Sequence, residues 1–503
     1  SSSPFPVALS LLSRRRRRFF AQSMEELRVA GDGGCYTKRD FLNYYGDKGE
    51  KLWQEAPVAP KPKPEKIVVS IVNSDAVPEE IRVVMAKMPF LRSGALSVRD
   101  ELNLTNCSLD LSDAAGLLGL LARLDTLKGL EIEGVALEVK LLRGELGNCV
   151  SIDLSNKRIG VLVVTVIAGL FRSNSVTKSL NLAHSAFGAE GVKRLGAVLG
   201  ENSALTSLNI GHNLLGPEAA AHLAQLLTDN SSLLALDLDT NDLCGIDCWG
   251  QGTYNAEAIA TLAGALKANG TLQSISLQKN HLRAEGARHL STCVSDGGSL
   301  TTLNLCGNSI GAEGAAHLCK ALASNTTLRE LLLDGNLLAA KGARHVSELL
   351  KANGTIATLS LQENGIGAEG ARDISDGLKQ NAALTSLNLR DNDLCTDGTL
   401  LLVEGLKANA GLALLSLMEN EIDADGAKRL AEVFGENGTL ASLDVGFNDI
   451  NGDGAKHLVD AIKAREAGGL ALATSLNLRE NRVDRATKAQ LKEQAGSQLK
   501  LLL

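Results

Sequence analysis

The clearest feature of the sequence is a pattern of leucine and polar residues that returns every 28 positions. It reads Leu-x-Leu-x-x-Asn-x-Leu or Ile, and ten clear copies start at residues 208, 236, 275, 303, 331, 359, 387, 415, 443 and 476. Weaker copies start at residues 102, 130, 152 and 180. Ten of the 13 intervals between these 14 copies are 28 residues long, so the pattern is an internal repeat that determines the fold.

Each repeat predicts one strand followed by one helix. The Leu-x-Leu alternation is typical of a short strand with one buried face. Further along the unit, Ala315, Leu318 and Leu322 fall on one face of a helix. The Asn after the strand, such as Asn308, is expected to hydrogen-bond backbone groups of the turn. A second Asn near the helix end, such as Asn353, favours a left-handed C-cap.

Stacking about 14 such units predicts an α/β solenoid shaped like a horseshoe. Parallel strands need about 4.8 Å each and helices about 8–10 Å, so the strands take the concave face and the helices the convex face. The 28-residue unit resembles the ribonuclease-inhibitor-like class of leucine-rich repeats, which also occurs in NOD-like receptors and in Ran GTPase-activating protein. The resemblance covers about residues 102–483, and it implies a fold rather than a function.

The solenoid is preceded by three segments of distinct composition. Residues 1–23 form a basic Ser- and Arg-rich arm, residues 24–55 a small aromatic-bearing module, and residues 56–66 a Pro-rich linker that is expected to be extended. The chain also carries a charge split, because residues 1–66 contain 13 Lys and Arg against 8 Asp and Glu, whereas the remaining 437 residues contain 38 against 50. Arm and body are therefore expected to meet different partners.

Both ends of the solenoid are predicted to be capped. Residues 67–101 read as an N-terminal cap, with a strand followed by a helix at about 78–87, because the first strand would otherwise be an exposed edge. Residues 484–503 read as a C-terminal cap with a helix at 485–494. The apolar tail at 501–503 is expected either to fold back or to enter a partner.

The basic arm is the strongest docking candidate outside the repeats. Its basic and aromatic residues are Arg14, Arg15, Arg16, Arg17, Arg18, Phe19 and Phe20. Such a cluster can bind an acidic protein, RNA or an anionic membrane surface, although a disordered tail is equally compatible with it. The acid-free start also resembles an organelle transit segment, so a mitochondrial location is the first expectation, with a cytoplasmic or ciliary location as alternatives.

The aromatic-bearing module holds five of the chain's 15 aromatic residues within 18 positions. Its candidate anchors are Tyr44, Tyr45 and Trp53. These residues form either a small core of their own or a docking peptide for another subunit, because Tyr and Trp dominate protein interfaces.

No catalytic or metal-binding motif is present. The sequence contains no P-loop, HExxH, GxSxG or CxxC pattern, and Cys244 and Cys248 lack a second pair to complete a zinc site. Nine cysteines without a repeated spacing indicate free thiols. No apolar run is long enough for a membrane span. We therefore predict a protein that is not an enzyme and that has no cofactor, no metal and no small-molecule substrate.

The exposed positions of the strand face are rich in acids. Between residues 207 and 481, nine acids stand against three bases (Lys279, Arg390 and Arg479), which favours a basic partner, although a solvated face explains the bias as well. The candidate contact residues are Asp239, Glu330, Asp334, Glu363, Asp391, Glu419 and the one aromatic residue there, Phe447. The remaining three acids are Asp237, Asp444 and Glu480.

An 11-residue insertion accounts for the 39-residue interval between the copies at 236 and 275. It lies at about residues 244–255, in a strand-to-helix connection, and it contains Trp249 and Tyr254. Such a loop is typical of an interface, although packing on itself is an equal alternative.

The leading functional hypothesis is a non-enzymatic scaffold for protein–protein interaction, an accessory subunit of a larger assembly. A Ran-type GTPase-activating protein is one alternative, because Arg158 occupies an early strand-to-helix loop as that family's functional arginine does. The C-terminal sequence GSQLKLLL lacks that family's acidic tail. A receptor- or sensor-like leucine-rich repeat protein is the other alternative, although no nucleotide-binding domain is present.

Overall fold

The computed structural model describes residues 28–29, 35–36, 77–88, 101–105, 107–247, 249–295, 298–468, 470, 473–495 and 499–503. The chain divides into two units, Ser1–Val68 and Val69–Leu503. In the first unit, strands β1 (Arg28–Val29) and β2 (Cys35–Tyr36) pair antiparallel. The basic arm, the Pro-rich linker, Tyr44, Tyr45 and Trp53 lie outside the described residues.

The second unit alternates strands with helices. Its strands are β3 (Glu101–Asn103), β4 (Gly129–Ile132), β5 (Val135–Glu138), β6 (Ser151–Asp153), β7 (Ser179–Asn181), β8 (Ser207–Asn209), β9 (Ala235–Asp237), β10 (Ser274–Ser276), β11 (Thr302–Asn304), β12 (Glu330–Leu332), β13 (Thr358–Ser360), β14 (Ser386–Asn388), β15 (Leu414–Ser416), β16 (Ser442–Asp444), β17 (Ser475–Asn477) and β18 (Lys500–Leu502). Its helices are Glu79–Ala86, Ala114–Leu121, Val139–Leu142, Val161–Phe171, Gly188–Leu199, Ala220–Asp229, Glu257–Ala268, Arg283–Val294, Gly311–Leu322, Ala339–Ala352, Gly367–Leu378, Cys395–Ala408, Ala424–Glu436, Gly452–Ala467 and Arg485–Gln494.

Strands β6 to β18 form one sheet of 13 parallel strands that follow each other in chain order. The repeats stack in register, so Leu303 of β11 lies opposite Ile275 of β10 and Leu331 of β12. One face of the sheet, which we call the strand face, carries the polar strand residues, and the buried face meets the helices. The predicted α/β leucine-rich repeat solenoid is confirmed.

The core is a column of aliphatic layers between sheet and helices. Leu303, Leu318 and Leu331 are each no more than 1% exposed, so each repeat contributes strand and helix leucines to the same layer. Gly314 permits this packing, because a Cβ at that position would lie 2.4 Å from Cγ2 of Ile310 and 3.0 Å from Cβ of Ala287. The core therefore consists of many small, similar layers, which explains why the chain is 44% hydrophobic but only 3% aromatic.

The Asn after each strand forms a ladder through the stack, as predicted from Asn308. The Asn308 amide donates to the carbonyls of Leu277 and Leu305, both at 2.9 Å. Its own backbone N–H donates to Oδ1 of Asn336, the equivalent residue of the next repeat, at 3.0 Å. The side chains are fully buried, so each satisfies turn backbone groups that neither strand nor helix can reach.

The second Asn does not adopt the left-handed cap that the sequence suggested, and that prediction is wrong. Asn353 has φ −97° and ψ 125°, and Asn437 has φ −74° and ψ 117°, which are extended conformations. The Asn353 amide instead donates to the carbonyls of Leu322 and Asn325, and its Oδ1 accepts from the next turn. The side chain closes the helix end, so no left-handed residue is needed there.

Arg465 occupies this second Asn position in the last long repeat. Its guanidinium donates to the carbonyls of Phe434 and Asn437, at 2.8 and 2.6 Å, as Asn437 does one repeat earlier towards Leu406 and Asn409. The interval between the copies at 443 and 476 is 33 residues rather than 28. In this longer repeat the arginine side chain bonds the carbonyls that an Asn side chain bonds in the other repeats. The guanidinium also lies 5.5 Å above the ring of Phe434.

The sheet is interrupted at the start of the solenoid, which the repeat pattern did not predict. Strands β3, β4 and β5 form a separate three-stranded sheet in which β5 runs antiparallel to β4. The interval between the copies at 130 and 152 is only 22 residues, which leaves room for the short helix Val139–Leu142. The chain returns as a hairpin strand before the regular stack begins.

A further element packs against each end of the described solenoid, while the strand predicted ahead of the N-terminal helix lies outside the described residues. At the N-terminal end, helix Glu79–Ala86 packs against helix Ala114–Leu121, and Nζ of Lys87 lies 2.7 Å from a carboxylate oxygen of Asp113. At the C-terminal end, helix Arg485–Gln494 precedes β18, which pairs parallel with β17. The apolar tail therefore folds back as a further strand. Among the described residues, no helix has the length and apolar character of a membrane span.

Candidate protein-interaction site

The turns that follow the strands place polar side chains along one edge of the strand face. On both sides of two ladder Asn residues the backbone is left-handed: Asp391 and Asp393 have φ 53° each, and Glu419 and Glu421 have φ 55° and 56°. In the following repeat Phe447 is left-handed and Asp449 is not. In the last repeats these side chains line a cleft of about 430 Å³. We call this surface the acidic edge, which consists of Asp391, Asp393, Glu419, Glu421, Phe447, Asp449 and Glu480.

Negative charge exceeds positive charge on the acidic edge. Of its six carboxylates, Glu419 pairs with Arg390 through contacts of 2.8 and 3.3 Å, and Asp449 pairs with Arg482 at 2.6 Å. The other four carboxylates make no ion pair with a described residue. The surface therefore has unpaired negative charge to offer a cationic group.

Burial and the crowding of carboxylates on the acidic edge raise the pKa of Asp391. Partial burial raises the pKa of its carboxyl above the usual 3.8, and the neighbouring Glu419, Glu363 and Asp393 raise it further. Arg390 opposes the shift. The carboxylate form of Asp391 would be stabilised by an added cation, because a positive charge would offset both causes.

Phe447 is the apolar member of the acidic edge. Its side chain is 46% exposed although it stands in a row of carboxylates, and its backbone φ is 53°. The carboxylates around it make the surface suited to a segment that carries both basic and apolar groups.

The left-handed residues of the acidic edge are conformationally costly. In earlier repeats, glycine stands at the same positions, at Gly307, Gly335 and Gly365, all with positive φ. A residue with a Cβ in this conformation is strained by about 1 kcal/mol or more.

We expect Glu421→Gly to raise the free energy of unfolding by about 0.5–1 kcal/mol, because it removes both the strain and one like charge. The side chain is exposed, so little packing is lost. Denaturant titration measures the effect. Glu432→Gly, in the regular helix Ala424–Glu436, is the matched control and should lower stability instead. A loss of stability in Glu421→Gly would contradict the strain argument.

Two of the sequence-predicted acids act inside the protein. Oδ1 of Asp239 accepts the backbone N–H of Gln278 at 3.0 Å and also the hydroxyl of Ser276. Asp334 is bonded in the same way, to the backbone N–H of Gln362 at 2.8 Å and to a serine hydroxyl. These carboxylates join adjacent repeats, which explains their presence without a partner.

Of the remaining predicted acids, two hydrogen-bond to neighbouring side chains and two line the acidic edge. Glu330 accepts from the hydroxyl of Thr302 at 3.2 Å, and Glu363 accepts from the amide of Gln362 at 2.8 Å. Asp391, Glu419 and Phe447 are the predicted contact residues that the structure brings together. Sequence reasoning missed Asp393, Glu421 and Asp449, although their 28-residue spacing directly after the ladder Asn could have revealed them.

The 11-residue insertion forms an ordered loop, which we call the Trp loop (residues 244–255, with residue 248 not described). An antiparallel bridge joins Ile246 and Gly252. Gly252 has φ 115°, and a Cβ there would lie 2.0 Å from the carbonyl oxygen of Gly245, so only glycine fits.

Asp247 closes the tip of the Trp loop. Its Oδ1 accepts the backbone N–H groups of Trp249 and Gln251, at 2.9 and 2.8 Å, and its own N–H donates to the carbonyl of Gln251. The Trp249 side chain is 83% exposed at this tip. A loop whose backbone is satisfied internally and whose largest side chain is exposed presents that side chain outwards.

Tyr254, the other aromatic residue of the Trp loop, is half-buried and serves the fold. Its hydroxyl donates to the carbonyl of Leu282 at 2.6 Å, and the guanidinium of Arg283 lies 4.6 Å from the ring centroid. Burial is the main cause that raises the pKa of the Tyr254 hydroxyl. Of the two predicted contact residues of the Trp loop, Trp249 is therefore the one with an exposed side chain.

The buried thiols are weak nucleophiles, because they stay protonated. Burial raises the pKa of Cys244, Cys293, Cys306 and Cys319 to about 12 each, so they are protonated at neutral pH. Within the described ranges, no group of three or more His, Cys, Asp or Glu residues is arranged to hold a metal ion.

Comparison with known proteins finds repeats of the same type. A family model described as "Leucine Rich repeat" matches residues 299–319, 352–375 and 436–459. No curated protein matches the sequence. Among solved structures, the leucine-rich repeat-containing protein LegL7 from Legionella pneumophila is 18% identical, with 59% of this chain and 93% of that chain covered and a TM-score of 0.39.

Two further structures are similar at the same low level. An internalin (inlF) from Listeria monocytogenes is 14% identical over 77% of this chain and 93% of that chain, with a TM-score of 0.41. A chain of the Rad7 and Elc1 complex in yeast is 17% identical over 62% and 87%, with a TM-score of 0.31.

The protein is a leucine-rich repeat protein, as its repeats, its fold and the matching family model show. Leucine-rich repeats indicate a scaffold that binds other proteins, and such proteins are generally not enzymes.

Proposed function

We propose that this protein is a non-enzymatic accessory subunit of a multi-subunit assembly, in which the acidic edge binds a basic segment of a neighbouring protein. The observation that carries this proposal is the row of six carboxylates, only two of them paired, around the half-exposed ring of Phe447. Trp249, at the tip of the Trp loop, is the second contact point. Aromatic anchors surrounded by complementary charge are the usual centres of protein interfaces.

The test is native purification of the full-length protein, followed by mass spectrometry of the proteins that co-migrate. We then expect Phe447→Ala and Trp249→Ala to weaken the captured interaction by about ten-fold or more each. Val83→Ala is the matched control, because Val83 is 47% exposed in helix Glu79–Ala86 and belongs to neither surface. If the control weakens binding as much as the aromatic variants do, or if the protein migrates alone, the proposal is wrong.

The acidic edge also predicts a pH dependence. The pKa of Asp391 is higher in the folded protein than in the unfolded chain, so the folded protein binds this proton more tightly. Ionised Asp391 therefore lowers the free energy of unfolding at neutral pH, and this loss of stability disappears as the pH falls through the folded pKa. Binding of a basic segment should weaken over the same fall in pH. Asp423 behaves in the opposite way, because its pKa is lowered, chiefly by the N–H of Gly426.

A carboxyl NMR titration measures this prediction directly. Asp391 should titrate at a higher pH than Asp423, and Asp391→Asn should raise stability more at neutral pH than near pH 3. Equal titration of the two carboxyls would contradict the assigned electrostatics.

The basic arm is proposed as the anchor of the protein in its assembly, with a mitochondrion as the first compartment to examine. Arg14 to Arg18 beside Phe19 and Phe20 suit an acidic protein surface, and RNA or an anionic membrane are the other outcomes. Deleting residues 1–55 should release the protein while the repeats stay folded, as circular dichroism would report. Retention of the truncated chain in the assembly would refute the anchor role.

GTPase activation is the second candidate, and it rests on one residue. Arg158 is exposed, with φ 50°, in the turn between β6 and helix Val161–Phe171. We expect that adding this protein to purified Ran does not stimulate the hydrolysis of GTP by Ran. A stimulation that Arg158→Ala removes would favour this function over the scaffold.

A further inference from the structure

The interruption of the sheet leaves two edge strands that border the same cleft. Strand β6 ends the 13-stranded sheet, and β5 ends the three-stranded sheet. Residues of both strands, together with residues of β3 and β4, line this cleft of about 600 Å³ on the strand face. Within the described ranges, no strand pairs with the outer edge of either one. Edge strands that face a cleft are templates for strand addition.

The backbone of β6 directs hydrogen-bonding groups into this cleft. In β7, the N–H of Ser179 donates back to the carbonyl of Val150 at 3.0 Å. Ser151 is the residue of β6 that pairs with Ser179, so its N–H points the same way, away from β7 and out of the open edge of the sheet. Asp153, which pairs with Asn181, repeats this orientation two residues later. These donors are spaced as an added strand requires.

The side chains around the cleft specify the chemistry of the added strand. Leu130, Leu137 and Ile152 are buried beneath it, each no more than 2% exposed. The outward-facing charged residues are Glu101, Glu131, Glu138, Asp153 and Lys157. Four acids against one base favour a basic occupant.

Two exposed apolar side chains precede β6 in the chain. Val150, immediately before β6, is 56% exposed, and Leu146 in the preceding loop is 41% exposed. A strand presents alternate residues to opposite faces. An occupant with alternating apolar and basic residues would cover the apolar layer with one set and meet the carboxylates with the other.

We propose that this cleft binds an extended segment of a partner protein as an additional β-strand between β5 and β6. The segment carries alternating apolar and basic residues. Main-chain hydrogen bonds to β6 supply affinity, and the carboxylates select the charge. This site is separate from the acidic edge, so either can fail while the other stands.

The first experiment uses a fluorescent peptide of about ten alternating Lys and Val residues and the full-length protein. Fluorescence anisotropy should show saturable binding. A peptide with N-methyl groups on alternate residues, which cannot donate along one edge, should bind about ten-fold more weakly or worse. An alternating Glu and Val peptide should not bind. Saturable binding by the N-methylated peptide at equal affinity, or no binding of the basic peptide, would overturn the proposal.

The second experiment alters the protein. Ser151→Pro removes an N–H on the open edge of β6, and proline is tolerated on an open strand edge, so the melting temperature should stay close to that of the unaltered protein. Peptide affinity should fall about ten-fold. An unchanged affinity would refute strand addition at β6.

A charge reversal provides a test that does not depend on proline. Glu138→Lys should weaken binding of the basic peptide, whereas Asp460→Lys, at an exposed helix position far along the chain, should not. Hydrogen exchange gives the structural readout, because the amides of Ser151 and Asp153 should become protected when peptide is added. Equal effects of the two charge reversals, or unchanged exchange at saturation, would count against this site.

Discussion

Replacing Leu415 with Ala is expected to reduce the free energy of unfolding by about 2–5 kcal/mol. Leu415 is 2% exposed and lies in the middle of β15, opposite Leu387 and Leu443 in the neighbouring repeats. Truncation leaves a cavity between two aliphatic layers that are both held in register by the sheet. The layers cannot close over it without breaking that register.

The adjacent residue offers a matched control in the same strand. Leu414 is 48% exposed, because consecutive residues of a strand face opposite sides. Leu414→Ala should therefore cost less than about 1 kcal/mol. Denaturant titration of both variants checks the prediction. Similar losses for the two would mean that the strand does not separate a core face from a solvent face.

Replacing Asn364 with Ala is expected to cost about 3 kcal/mol, a loss similar to that of a core leucine. The Asn364 amide donates to the carbonyls of Leu333 and Leu361, both at 2.9 Å. Its Oδ1 accepts the backbone N–H of Asn336 at 3.0 Å. Alanine would leave these buried backbone groups unsatisfied in two consecutive turns.

Serine should recover part of this loss, because Ser185 stands at the equivalent position of an earlier repeat and its hydroxyl bonds a turn carbonyl. We expect the order Asn, Ser, Ala in decreasing stability. Since each repeat contacts only its neighbours, the Ala variant should also separate the unfolding of the two halves of the solenoid. A single sharp transition at unchanged midpoint would contradict the ladder's role.

The positions of the strands could be read directly from the sequence. A buried leucine is required at every second strand position, and identical layers can stack only if this requirement returns at a constant interval. The ladder Asn was also predictable, because Asn308 is a polar residue in an apolar frame and only a backbone partner justifies its burial.

The interaction surfaces were only partly predictable. The sequence identified the acids and Phe447, but it gave Asp239 and Asp391 equal standing. The structure separates them, because Asp239 reaches across the long interval to bond Gln278, whereas Asp391 makes no ion pair with a described residue and stands among other carboxylates. In the same way, Trp249 and Tyr254 are alike in sequence, yet only Trp249 is exposed.

By itself, the sequence determined the repeat, the fold class and the excess of acids on the strand face, because these depend on regular spacing. The tertiary structure alone decided the interruption between β5 and β6, the extended conformation at Asn353 and the gathering of carboxylates around Phe447. These features depend on how side chains from several repeats share space and hydrogen-bond partners, and no single repeat contains that information.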